Sequence, residues 1–229
     1  YWSQFKEIKE STIYFADANV KALCVENWDT DGDGELSKDE AAAVTELGEV
    51  FKGNEDITSF DELQYFTGLT SIGDSSFSGC INMTSVIIPS SVTSIGYMAF
   101  GECKKLSSME IPDGVVSIGT DAYWVCLALT SIHIPRSVVS IAEWSALPIF
   151  VSSITVDADN PIYDSRNKCN AVIETATNKL VSGCKNTIIP KDVVIIGVTA
   201  FSSCYELTSI DIPKNITQIE RDAFAWSYM

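Results

Sequence analysis

A period of 23 residues constrains this chain more than any other feature. Pro89, Pro112 and Pro135 are 23 apart, as are Pro190 and Pro213, and the same step separates Ile72, Ile95, Ile118 and Ile141, and also Cys80, Cys103 and Cys126. Three unrelated residue types held to one interval define a unit, L-T-S-I-x-I-P-x-x-V-x-x-I-G-x-x-A-F-x-x-C. In I-x-I-P two branched residues alternate around a variable one, the mark of a short strand with one buried face. Proline ends that strand because it has no N–H to give a ladder. Gly96 and Gly119 permit the next bend. A single coil of this size cannot bury its own apolar stripe, but copies stacked about 4.8 Å apart can, and about seven of them would make a rod of roughly 34 Å.

LTSIHIPRSVVSIA at 129–142 and LTSIDIPKNITQIERDAF at 207–224 resemble the BspA-type leucine-rich repeat, a variety found in bacterial surface proteins, and the resemblance covers roughly residues 57–229. It implies a curved solenoid, an extracellular or bacterial cell-surface setting, and adhesion or protein binding in place of catalysis. The fold class expected is therefore α+β. A helix-loop-helix cap over 1–56 precedes a solenoid of 23-residue coils over 57–229, with an elaborated coil or hairpin at 154–187.

The cap carries the chain's most demanding motif. Asp29, Asp31, Asp33, Gly34 and Glu40 fit D-x-[DN]-x-[DN]-G-x₅-E in full, within 28–41 (WDTDGDGELSKDEA). Carboxylates at the first, third and fifth places wrap a hard cation, and the glycine makes the sharp turn. The carbonyl of Glu35 serves at the seventh place, Ser37 stands at the ninth, and Glu40 supplies two oxygens. Leu36 is the inward apolar anchor. Helices are expected on both sides, the first from Val20, Leu23, Cys24 and Trp28 at helical spacing, the second running through KDEAAAVTEL to Gly48. Calcium is the expected ion. Sensor loops of this EF-hand type work in pairs around a Met-rich groove, whereas here one loop stands alone and none of the four Met residues lies in 1–65. The ion is thus read as structural, fastening a cap over the open end of the first coil.

The period breaks between Pro135 and Pro190, which are 55 apart. NAVIET and TNKLVS read as a hairpin turning at Ala176–Thr177. Pairing Thr175 with Asn178 places Glu174 opposite Lys179, Ala171 opposite Ser182 and Cys169 opposite Cys184. Cys169 and Cys184 are therefore a candidate disulfide, bridged or free, with the extracellular setting favouring the bridge. Cys80, Cys103, Cys126 and Cys204 hold an inward repeat position and read as small buried hydrophobes. Cys24 is expected to pack on its helix.

Composition excludes several classes. The chain's 229 residues carry a net charge of -16, of which -11 falls within 1–65, and no Lys or Arg cluster offers a footprint for nucleic acid. No apolar run of 18 residues spans a membrane. The lone His133 takes an outward strand place, serines fill the T-S slots, and no G-x-S-x-G or phosphate loop occurs, so no catalytic residue is expected. No Cys/His set is spaced for zinc. Tyr1 without an initiator Met suggests a trimmed start, and Met229 within a turn suggests either a longer natural chain or an unusual end.

Variable outward positions are where repeats recognise partners. Ile87, Glu110, His133, Thr155, Ile188 and Asp211 should line one continuous strand face, the candidate surface for an unidentified protein or matrix ligand of a monomeric module. The alternative is a glycan-binding accessory module of a polysaccharide-handling protein, for which Trp124 and Trp144, lying off the core slot, are the candidates.

Overall fold

Asp17 serves two elements at once. In this computed structural model, which describes residues 11–144, 147–148 and 150–227, its Oδ1 accepts from the Asn19 and Val20 amides and caps helix α1, Ala18–Trp28. Its Oδ2 accepts from the amide and hydroxyl of Thr58 at 2.6 and 2.7 Å, tying the helix to the first coil. The second helix, α2, spans Lys38–Ala43, with Ser37 and Glu40 forming a capping box. It ends five residues short of Gly48. At Val44 the backbone turns extended, and Val44, Leu47 and Phe51 are buried in the core beyond. Ala42 and Val44 also present their carbonyls to Gly68 so closely that a Cβ there would lie 2.4 and 2.7 Å from them.

The coils stack as a solenoid of about seven turns. Four second-strand segments, Ser71–Ile72, Ser94–Ile95, Ser117–Ile118 and Ser140–Ile141, form one parallel sheet in which serine lies beside serine and isoleucine beside isoleucine. The first-strand row is divided: Ser59–Phe60 pairs with Ser85–Val86, which continues by a bridge to Ser108, and Ser131–Ile134 separately pairs with Ser153–Val156.

A third ladder runs through the turns. The amides of Ser75, Phe77 and Gly79 donate to the carbonyls of Tyr97, Ala99 and Gly101 one coil on, and those of Met98, Phe100 and Glu102 to Thr120, Ala122 and Trp124. This zigzag requires left-handed residues in each turn: Ser75, Met98, Asp121, Thr199 and Asp222 at one place, and Glu102, Val125, Ser203 and Trp226 at another, all with φ between 48 and 63°. Non-glycine residues carry that cost at fixed positions because alternate turn amides then donate to the next coil while those between them donate within the turn, as Ser76 does to Gly73 and Ser78 to Ser75.

Inside, Phe51, Phe77, Phe100 and Tyr123 stack with centroids 5.4, 5.4 and 5.7 Å apart. The repeated cysteines are donors as well as hydrophobes: the thiols of Cys80, Cys103 and Cys126 point at the carbonyls of Phe51, Phe77 and Phe100 at 3.0–3.1 Å. Burial pushes the Cys80 and Cys126 thiols up to about 12 and that of Cys103 higher still.

The stack then stops, and a hairpin of Ala171–Glu174 against Lys179–Gly183 fills the period break. Glu174 faces Lys179 as the arithmetic requires, but a bulge between Val172 and Ile173 slips the register, so that Ala171 faces Gly183 and Val172 faces Ser182. The slip removes the register that placed Cys169 opposite Cys184. Both thiols are free, with Cys169 donating to the Ala171 carbonyl at 3.7 Å and Cys184 to that of Asn170 at 3.5 Å. Val172 and Cys184 join the core of the first coils, whereas Cys169, Ala171 and Ile173 join a second core with Phe201. Gly183 holds the aromatic slot of its coil: its amide donates to the Ala200 carbonyl, as Phe77 does to Ala99, and Cys204 points at its carbonyl. A Cβ on Gly183 would sit 2.2 Å from Cε1 of Phe201.

Candidate metal centre and binding face

The acidic loop lies between the two helices and is braced from behind. The Leu36 carbonyl accepts from the Ile13 amide at 2.9 Å, and the Lys38 amide donates to the Ser11 carbonyl at 2.7 Å. Thr12 and Ser37 form an antiparallel bridge. Residues 11–13 thus supply the strand partner that a lone loop lacks. Leu36 is buried in the core, as expected.

Asp29, Asp31 and Glu40 bring carboxylate oxygens within 4.8 Å of one another. Asp29 accepts from the amides of Gly32 and Gly34 at 2.7 and 2.8 Å, and Gly32 and Gly34 have φ of +71 and +79°, where a Cβ would be strained. Glu40 closes the loop: Oε1 takes the amide and hydroxyl of Thr30 and the amide of Asp31, while Oε2 takes the amide and hydroxyl of Ser37. Burial works to raise the Glu40 pKa, but the hydrogen bonds from Ser37 and Thr30 outweigh it and bring the value to about 2.

The rest of the expected ligand set is placed otherwise. Asp33 stays outside the cluster of three, and its Oδ1 accepts from the Glu35 amide at 2.8 Å. The Glu35 side chain is turned to Lys21, 2.7 Å away, leaving its backbone as the available donor, and the Ser37 hydroxyl is engaged in the capping box. The donor set fits calcium on chemistry, being all oxygen, anionic and hard. With three donors already on Oε1, ligation through both oxygens of Glu40 calls for the Thr30 hydroxyl to turn away.

All six residues of the expected binding face are exposed, Ile87 at 45% and Ile188 at 73%. They do not share one uninterrupted sheet. Ile87 and Glu110 follow the bridged Ser85 and Ser108, and His133 lies beside Thr155 with Nδ1 3.0 Å from its Oγ1. Ile188 is reached only through the hairpin, its amide donating to the Cys169 carbonyl. Two threonines just ahead of the strand segments serve the scaffold: Thr84 in an L-T-S slot and Thr93 before the second strand donate their hydroxyls to the carbonyls of Thr58 and Thr70 one coil back. Of the two tryptophans, Trp144 has the Arg221 guanidinium over its ring at 4.7 Å, so that face is already taken.

Repeated coils with parallel in-register strands, a buried aromatic row and an outward variable row define a leucine-rich repeat scaffold. The chain belongs to the family of the BspA type leucine-rich repeat region, whose model matches six copies over residues 49–160 and 172–229. A leucine-rich repeat protein from Eubacterium ventriosum ATCC 27560 is 27% identical with a TM-score of 0.55, over 69% of this chain and 49% of that one. One from Bacteroides ovatus ATCC 8483 is 24% identical with a TM-score of 0.51, over 80% and 38%. The pneumococcal vaccine antigen PcpA shares the fold at 15% identity and a TM-score of 0.52, over 67% and 45%. The chain spans about half or less of the length of these structures. No curated protein matches it.

Proposed function

We propose that this chain is a secreted or cell-surface recognition module, non-enzymatic and monomeric, that binds a protein or matrix ligand through the outward row Ile87, Glu110, His133, Thr155, Ile188 and Asp211. The observation that carries the reading is exposure. The inward positions of each coil serve the scaffold, while this row is exposed from coil to coil. Membership of a family associated with bacterial surfaces supports the setting. Binding of labelled protein to arrays of host surface and matrix proteins tests it, with an Ile87→Asp/Ile188→Asp double variant as the comparison. Capture lost in that variant supports the row, and capture that survives it rejects the row as the interface.

Calcium at Asp29, Asp31 and Glu40, with Asp33 and the Glu35 carbonyl joining as the loop tightens, is proposed as a fastener between helices α1 and α2. Its support is the spacing of three carboxylates on a loop whose two ends are α1 and α2. Thermal unfolding with and without calcium, for the parent and for Asp29→Ala, provides the test. An upward shift confined to the parent supports the fastener; equal curves in all four conditions reject it.

A further inference from the structure

The hairpin that fills the period break carries a core on each of its faces. Val172, with the half-buried Val181, packs into the large core that runs from Ile13 to Tyr163, whereas Ala171, Ile173 and Leu180 belong to the smaller one around Val193, Ile196 and Phe201. The cysteines divide in the same way, Cys184 with the first core and Cys169 and Cys204 with the second. Among the described residues the hairpin is thus a wall between two groups of buried side chains.

Beyond the wall the coils are held less firmly. Ile212 and Ile219 take the inward places where Ile88 and Ile95 are buried, yet they are 44% and 50% exposed. Contacts that bypass the wall lie in the turns: the Thr199 hydroxyl donates to the Glu143 carbonyl at 2.6 Å, Arg221 covers the exposed Trp144, and Phe150 meets the exposed Tyr205. On the strand side the joint is the short pairing of Lys179–Leu180 with Ile195–Ile196, flanked by the amides of Val194 and Gly197 donating to the carbonyls of Asn178 and Leu180. The ion pairs Arg166–Asp192 and Lys179–Glu220 add to it, but at partly exposed side chains, where such pairs contribute little. A segment with a small core of its own and a joint of polar, half-exposed contacts opens before a large core does.

We infer that the coils of residues 188–227 form a separate cooperative unit that opens along the hairpin wall, while the coils before it, with the hairpin still docked through Val172, stay folded. The strand row then has a fixed arm, Ile87, Glu110, His133 and Thr155, and a detachable one, Ile188 and Asp211. Alkylation of the folded protein by N-ethylmaleimide at rising denaturant, read cysteine by cysteine in a mass spectrometer, tests this. Cys169 and Cys204 face the small core and should become reactive together, ahead of Cys80, Cys103, Cys126 and Cys184, which should follow in the global transition. Amide exchange should show the same division, Val194 and Gly197 preceding Phe77 and Phe100. Phe201→Ala should speed labelling of Cys169 and Cys204 by at least about tenfold and leave Cys80, Cys103 and Cys126 unchanged. If that variant leaves the unit unfolded, Cys169 and Cys204 react without denaturant while the other three stay protected, which supports the same division. A single phase for all six thiols, Cys184 reacting with Cys204, or Phe201→Ala speeding every site alike would overturn it.

Discussion

The coils between 57 and 141 and the stretch between 154 and 227 solve one packing problem by different means. In the first, every coil offers the same residue to its neighbour, so ladders and the ring stack propagate without adjustment. In the second, the rows are joined by a hairpin: Lys179–Gly183 pairs antiparallel with Ala171–Glu174 on one side and parallel with Ile195–Ile196 on the other. Charged clamps replace repetition there. Arg166 reaches Asp164, Asn178 and Asp192, and Lys179 reaches Glu220 at 2.7 Å. The turn row, meanwhile, closes over the insertion, with Thr199 donating its hydroxyl to the Glu143 carbonyl and Phe150 meeting Tyr205 at 6.0 Å. A solenoid can thus absorb an irregular coil in its strand rows while its turns stay in contact.

The largest expected effect is in the regular half. Phe100→Ala removes a ring stacked on both sides and should cost about 3–5 kcal/mol in chemical denaturation, whereas Phe224→Ala, half-buried with one stacked neighbour, should cost less. Equal costs would mean that the stack adds nothing beyond single-ring burial. Next comes Gly183→Ala, which forces a Cβ into the buried Phe201 ring and should cost about 1–3 kcal/mol; Gly48→Ala, with open space around it but φ of +56°, separates backbone strain from collision.

At the cap, Asp17→Ala should cost about 1–2 kcal/mol, since it uncaps α1 and strips Thr58 of its acceptor. The same carboxylate predicts a pH effect. Burial acts to raise the Asp17 pKa, but hydrogen bonds from Thr58, Asn19 and Val20 prevail and lower it below 3.8. Its contribution is therefore complete above pH 3.8 and is lost as pH falls through the lower folded value. Hydrogen exchange at the Thr58 amide should quicken over that range in the parent, and Asp17→Ala should flatten the response. The smallest effect is chemical: thiol titration in denaturant without reductant should count seven, and a count of five would show the Cys169–Cys184 bridge in spite of the slipped register.

Much of the fold was legible because a period exposes inward positions without any need for distances. Ile72, Ile95, Ile118 and Ile141 lie in register for the same reason that they recur. One further feature of the turns has a signal in the sequence. Gly79 stands where later coils put Glu102 and Val125, which marks a left-handed turn position. The cysteines were seen as inward, but their thiols as donors were not, because the carbonyls they meet belong to residues 26 to 29 positions earlier. Hairpin arithmetic placed Glu174 against Lys179 and failed two pairs further on, since a bulge leaves no mark in alternation.

For the candidate sites the division is similar. The loop motif at 29–40 and the outward row at 87–211 could be named from spacing alone, being set by local turns and by the repeat. The wall between the two cores could not. Alternation puts Val172 and Ile173 on opposite faces, but both faces are covered only because coils lie on either side of the hairpin. The amino-acid sequence by itself determined the coil, its inward residues and the acidic loop, since these depend on contacts within a turn or one period away. Only the tertiary structure decided the slipped hairpin and the two cores that it separates, since burial and pairing between distant segments depend on where the packed chain leaves room.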